Sequence, residues 1–307
     1  MISDDTAIAM ESWSAPIPTV AGGTLRRVGI EIEFMGPSAR VAAASVVRAL
    51  GGSVDVEDPH AFRILDTRLG DMRIETDLRY LHPQRHPSLG LKLDRRTAAW
   101  LGAVVSPFVP RELITAPLPI ARLPEMDALV DVLRAAGAHG RGAVFLDSLG
   151  LHFNVDPPRL DAATVAAFLK AFLIMSERLR QEIARGSRRL AYALPPEFPQ
   201  DYARQVLSPD YWPDLPELTT DYLAANPTRD RALDLLPLLT HFDDERVRSA
   251  LPHEKIGARP AFHYRLPQVH LSDPRWSIMP DWHRWCAVER LAADPERLYA
   301  IGKAIMA

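Results

Sequence analysis

VGIEIEF, residues 28–34, is the stretch from which the fold can be read. Side chains along a strand alternate between faces. Val28, Ile30, Ile32 and Phe34 therefore form an apolar face, and Glu31 and Glu33 share the other. Two residues of strand rise set those carboxylates roughly 7 Å apart. Like charges on one side of a strand repel unless something positive lies between them. The pair is thus either a cation-binding surface or a solvated acidic strand.

Other segments repeat the pattern. In MRIETDLRY (72–80), Glu75 and Asp77 lie opposite Ile74, Leu78 and Tyr80. In GLHFNVD (150–156), His152, Asn154 and Asp156 alternate with Leu151, Phe153 and Val155. In AFHYRLP (261–267), His263 and Arg265 alternate with Phe262, Tyr264 and Leu266, and Glu112 sits in the short run PRELITAP (110–117). A single strand histidine is more often structural than a ligand, but several strands charged on one face point to a shared site. Carboxylates and imidazoles without thiolates suit Mg²⁺ or Mn²⁺ beside phosphate oxygens. An arginine on that face adds a planar fork for phosphate. Metal plus arginine is the general equipment of phosphoryl transfer. Neither GxxxxGK[ST] nor GxGxxG occurs, so ATP would lie on a sheet face.

Helices fall between these strands. Ser38 caps one that Gly51 stops, and Pro124 opens one that Gly137 ends. Asp161 caps a third, with Val165, Phe168, Leu169, Phe172 and Leu179 at helical spacing. Helices are also expected over 228–239 and from Ala287 onward, interrupted near Pro295. The proline-rich stretch 195–216 reads as an irregular excursion. Strands are expected at 27–34, 72–80, 109–115, 150–156 and 261–266. Their order is neither a strict βαβα alternation nor an unbroken run, which favours α+β with a mostly antiparallel sheet.

Composition bounds the function. A length of 307 residues with 47% hydrophobic and 24% charged residues fits one large globular domain. The expected layout is a flexible lead-in over 1–24 and a single domain over 25–307. A formal net charge of -3 argues against nucleic acid or an anionic membrane as partner. The single cysteine, Cys286, allows no intrachain disulfide, and the acidic N-terminus lacks the features of a secretory signal. Both suggest the cytoplasm. Arg229, Arg231 and Asp234 could serve a helix start facing phosphate or a buried network. Trp276, Trp282 and Trp285 read as core packing and Cys286 as a buried apolar residue. Lys92 is a possible nucleotide contact, with an exposed lysine as the default.

The ordered series VGIEIEF, RIETDLRYL (73–81), PRELITAPLPI (110–120), LRAAGAHGRG, GLHFNVDPP (150–158), NPTRDRALDLLPLL (226–239) and RPAFHYRLP (259–267) resembles the amidoligases. These are relatives of glutamine synthetase and glutamate–cysteine ligase, and the resemblance spans about residues 27–290. It implies a glutamine-synthetase-like domain whose sheet has helices on one face and a metal–ATP site on the other. By that resemblance Glu31, His152 and His263 hold the metal bridging the ATP phosphates. Glu33, Glu112 and one of Glu75 or Asp77 hold another. Arg265 would steady the transferred phosphate, Asn154 would face nucleotide or substrate, and Asp77 or Asp156 could take the amine proton. The implied reaction joins a small-molecule or peptide carboxylate to an amine through an acyl phosphate, using ATP and Mg²⁺ or Mn²⁺. A kinase-like phosphotransferase and a non-catalytic binding protein are the rivals. One departure stands out: distant relatives carry Glu-x-Arg on the last strand, where this chain has His263 and Arg265. Repulsion between the paired acids predicts that neutralising Glu31 or Glu33 relieves strain in the metal-free protein.

Overall fold

The computed structural model describes residues 15–78, 82, 108–140, 149–184, 194–254 and 256–306. Strand β1, Arg27–Phe34, lies inside the sheet, and Val28, Ile30, Ile32 and Phe34 are fully buried. Burying each of these side chains stabilises by about 1.5–3 kcal/mol. A one-residue slip would expose all four, so the apolar face pins the register and with it the position of both glutamates.

Among the described residues the sheet has nine strands. The edge is β2 (Ser53–Asp58), followed by β3 (Ala61–Leu65), β4 (Met72–Thr76), β5 (Arg111–Thr115) and then β1. Beyond β1 come β7 (Leu151–Val155), β9 (Phe262–Tyr264) and β8 (Leu233–Asp234), while β6 (Leu118–Pro119) also pairs with β1. Every pairing is antiparallel. The architecture is mixed α+β with a large antiparallel sheet.

The caps expected from sequence do their work. Ser38 Oγ accepts from the Val41 N–H at 3.3 Å to start α1 (Ala39–Leu50), and Gly51 stops it at φ 77°. A 3₁₀ turn, Ile120–Glu125, carries Pro124 into α2 (Met126–Ala135). Asp161 Oδ1 accepts from the Thr164 N–H at 2.8 Å at the head of α3 (Ala162–Ala184). The apolar sides of β7 and β9 pack on α3 and on α8 (Met279–Ala292). Phe168 stacks on Phe262 with centroids 4.5 Å apart, and Phe153 lies 5.8 Å from Trp282. Trp282, Trp285 and Cys286 are fully buried and Trp276 nearly so, as core packing requires.

Several expectations are corrected. The stretch 195–216 contains α4 (Gln200–Leu207) and the start of α5 (Leu215–Ala225). Pro199 and Pro216 stand at helix starts, where a missing N–H costs no hydrogen bond. Residues 228–239 are not one helix: β8 pairs with β9 there, and α6 (Leu236–Phe242) begins only at the turn holding Pro237. Arg231 therefore belongs to a buried network, donating to Asn226 Oδ1 at 2.8 Å and the Glu197 carbonyl at 2.9 Å. α7 (Asp244–Ala250) follows. α8 begins at Met279, ahead of Ala287, and α9 (Pro295–Met306) completes the tail. The strand expected at 72–80 ends at Thr76, and Asp77 lies in a bend with its N–H on the Pro110 carbonyl at 2.9 Å. Its far end at 79–80, Lys92 and residues 1–14 lie outside the described residues. At the close of the lead-in, Ala15 is buried and Thr19 bridges to Leu25.

Candidate functional site

Strand register arranges the charged residues in rows. Glu33 stands opposite Glu112 on β5, and Glu112 opposite Glu75 on β4. On the other side of β1, Glu31 is opposite His152, Asn154 opposite His263, and His263 opposite Asp234 on β8. Alternation puts these side chains on the face away from the apolar core.

Glu31 is the centre. Its Oε2 lies 3.0 Å from His152 Nδ1 and 3.5 Å from His263 Nε2. Its Oε1 accepts from Asn154 Nδ2 and Arg259 Nη1, each at 2.9 Å. Burial alone would raise the Glu31 pKa. The bonds and charges of His152 and His263 outweigh it and hold the carboxyl well below the usual range. His263 is shifted the other way. Burial opposes its cationic form, but Asp234 and Glu31 raise its pKa above the ordinary imidazole value.

Glu33 Oε2 accepts from the Gly150 N–H at 2.8 Å. A Cβ at position 150 would run into the His152 imidazole, so glycine here lets the ring keep its place beside Glu31. Glu112 is half-buried. Burial, then the negative charges of Glu31, Asp77, Glu33 and Glu75, pushes its pKa well above the usual carboxylate range.

Two ligand groups result. In each of Glu31–His152–His263 and Glu33–Glu112–His152, one ligand atom per residue lies within 4.8 Å of the others. The expected second set paired Glu33 and Glu112 with Glu75 or Asp77. The structure brings His152 to that pair, while Glu75 and Asp77 act on Glu112 through their charge. Hard oxygens, imidazole nitrogens, a buried His263 Nε2 lacking a well-formed hydrogen bond, and a carboxyl loaded with negative neighbours all fit divalent cations.

Glu112 makes this testable. Its folded pKa lies above the unfolded value, so its contribution to stability is full below the unfolded pKa and is lost as pH rises through the folded one. A cation that takes the proton's place should release that proton, and binding should strengthen with pH. Calorimetry of Mn²⁺ in two buffers of different ionisation enthalpy should show proton release that disappears in Glu112→Gln. Equal release in both proteins would exclude Glu112 as a ligand.

Two participants had no assigned role in the sequence expectation of the metal groups. Asp234, weighed only for a helix start or a network, is fully buried. Its Oδ2 lies 3.4 Å from His263 Nδ1, and its Oδ1 accepts from the Leu236 N–H at 3.0 Å. With Asp234 accepting at Nδ1, that proton stays in place, and Nε2 is the nitrogen that can give up its proton to a cation beside Glu31. Asp234→Asn keeps an acceptor for Leu236 but offers an N–H to Nδ1, forcing the proton onto Nε2. Mn²⁺ affinity should fall by about 10–100-fold with the melting temperature nearly unchanged. Unaltered affinity by calorimetry would sink that role. Arg259, within the quoted RPAFHYRLP, is the second. Loop residues carry no periodic signal, so nothing but its charge marks it. Arg265 Nη1 donates to the Arg229 carbonyl, and among the described residues Arg265 forms no ion pair.

Residues 24–287 match a family model described as "Putative amidoligase enzyme". No curated protein and no solved structure matches the chain.

Proposed function

The chain belongs to the amidoligase family, and on that premise we propose that it is an ATP-dependent ligase joining a carboxylate to an amine. The observation that carries this proposal is the pair of ligand groups sharing His152 on one sheet face. We take the sheet, charged on one side and helix-covered on the other, as glutamine-synthetase-like.

Glu31, His152 and His263 would hold one divalent cation, Mg²⁺ or Mn²⁺, and Glu33, Glu112 and His152 a second, with Glu75 close by. Bound there, such cations offset charge on phosphate oxygens. A substrate carboxylate oxygen attacks the γ-phosphorus of ATP and ADP leaves, giving an acyl phosphate. The amine nitrogen then attacks the acyl carbon and inorganic phosphate leaves. Arg265 supplies a guanidinium for the transferred phosphate and Asn154 a polar contact to nucleotide or substrate. Asp77, one of the acids whose charge acts on Glu112, takes the amine proton. Among the described residues no helix is long and apolar enough to cross a membrane.

ATP should bind with Mg²⁺ and lose affinity in EDTA, as measured by calorimetry. Equal affinity in both would count against the metal assignment. A screen of paired acids and amines for phosphate release should then yield an amide. A phosphorylated product without an amide would make the protein a phosphotransferase instead.

A further inference from the structure

Arg259 reaches the centre of the charged face from the loop ahead of β9. Its backbone N–H is fixed to the Pro237 carbonyl at 2.9 Å. Nη1 donates to Glu31 Oε1 at 2.9 Å and to Asn154 Oδ1 at 2.8 Å. Asn154 closes the triangle, its Nδ2 donating to the same Glu31 oxygen at 2.9 Å. Both Nη1 protons are thereby used. The imidazoles of His152 and His263 meet Oε2 instead, so Arg259 does not compete with them for the carboxylate.

The rest of the guanidinium is uncommitted. Among the described residues Nε and Nη2 have no acceptor, and the side chain is 44% exposed while its Glu31 partner is 7% exposed. A guanidinium has five N–H donors in one plane, and its Nε–Nη2 edge matches two oxygens of a phosphate or carboxylate. Arg265 differs, with a buried Nε lacking a partner and Nη1 on a backbone carbonyl. Any anion approaching Glu31, Glu33 and Glu112 meets repulsion, and Arg259 places an exposed cation against that group at a fixed orientation.

We propose that the Nε–Nη2 edge of Arg259 is an oxyanion-binding fork, held beside the Glu31 cluster to receive a phosphate group or a carboxylate. It rests on the ligase proposal only in naming the ATP terminal phosphate and the acid substrate as the two sources.

The full chain, Arg259→Gln and Arg259→Lys are compared by calorimetry after melting scans establish that each is folded. The probes are Mn²⁺ alone, a non-hydrolysable ATP analogue with Mg²⁺, ADP with Mg²⁺, and glutarate. Mn²⁺ affinity should stay within about threefold in both variants, since the imidazole side of Glu31 is untouched. At least one oxyanion probe should weaken tenfold or more in Arg259→Gln and remain weak in Arg259→Lys, which keeps the charge but not the fork. Loss for the ATP analogue but not ADP identifies the terminal phosphate, and loss for glutarate identifies a carboxylate. Arg259-dependent glutarate binding in a wild-type protein that ignores the ATP analogue would support the fork and overturn the ATP reading alone. The fork itself is overturned if the wild type binds none of the oxyanion probes or if Arg259→Gln binds them all normally. It is also overturned if Mn²⁺ affinity falls in step with them, since Arg259 would then serve only to hold Glu31.

Discussion

Glu31→Gln should abolish turnover and metal binding in the first ligand group. The side chain replaced touches His152, His263, Asn154 and Arg259 together. Glutamine has nearly the same shape but places an N–H₂ where the carboxylate accepted. Turned toward the imidazoles, that group meets the nitrogens at Oε2; turned outward, it faces the donors Arg259 Nη1 and Asn154 Nδ2. Either way, donors oppose donors and a negative ligand is gone. Losing charge stabilisation of this kind costs about 3–4 kcal/mol in kcat, some hundreds of times in rate. Calorimetry with Mn²⁺ and single-turnover phosphate release check both halves. Near-native activity would return Glu31 to the status of a buried structural acid.

The surroundings of Glu31 argue against the stability effect expected from sequence for this variant. Two acids on one strand suggested that neutralising either would relieve repulsion. Glu31, however, is held ionised by the imidazoles of His152 and His263 against the opposing effect of burial. With its folded pKa below the unfolded value, it stabilises the fold above the unfolded pKa and loses that contribution as pH falls through the folded one. Glu31→Gln should therefore melt lower than wild type near neutral pH, with the difference shrinking in acid. Relief belongs to Glu112, whose neighbours are acids.

That distinction marks how far the sequence could be read. Alternation revealed each face of β1, β7 and β9, because one side of each strand is buried and period two follows directly from the pleat. The family resemblance, not alternation, grouped Glu31, His152 and His263, and the structure places them side by side. Alternation could not show that Glu33 and Glu112 share His152, since that depends on strand order. The β2–β3 hairpin was not among the strands marked out because β2, SVDVED, is an exposed edge whose charges protect it from further pairing rather than bury it. β8 is only two residues long, too short for any period, yet it delivers Asp234 to His263. Helical propensity across 228–239 lost to that pairing and to Pro237.

Arg26→Met should be the most destabilising single change named here, although it touches no proposed ligand. Arg26 and Glu289 are each 1% exposed and joined by a bidentate pair, Nη2 to Oε1 at 2.6 Å and Nη1 to Oε2 at 2.8 Å. Arg26 also serves the carbonyls of Asp156 and Ile17, both at 2.8 Å, and Trp285 Nε1 donates to Glu289 at 2.6 Å. The network ties the entry to β1, the end of β7 and α8 together at one point. Removing the guanidinium strands a buried carboxylate with one indole N–H and leaves two carbonyls short of a donor, at a cost of about 3–5 kcal/mol. Arg26→Met with Glu289→Met should recover much of that loss, because an apolar pair leaves no uncompensated charge. Urea denaturation of the two single variants and the double closes the cycle. A cost below about 1 kcal/mol for Arg26→Met would mean that water reaches Glu289 and that the anchor of β1 lies in its apolar face alone.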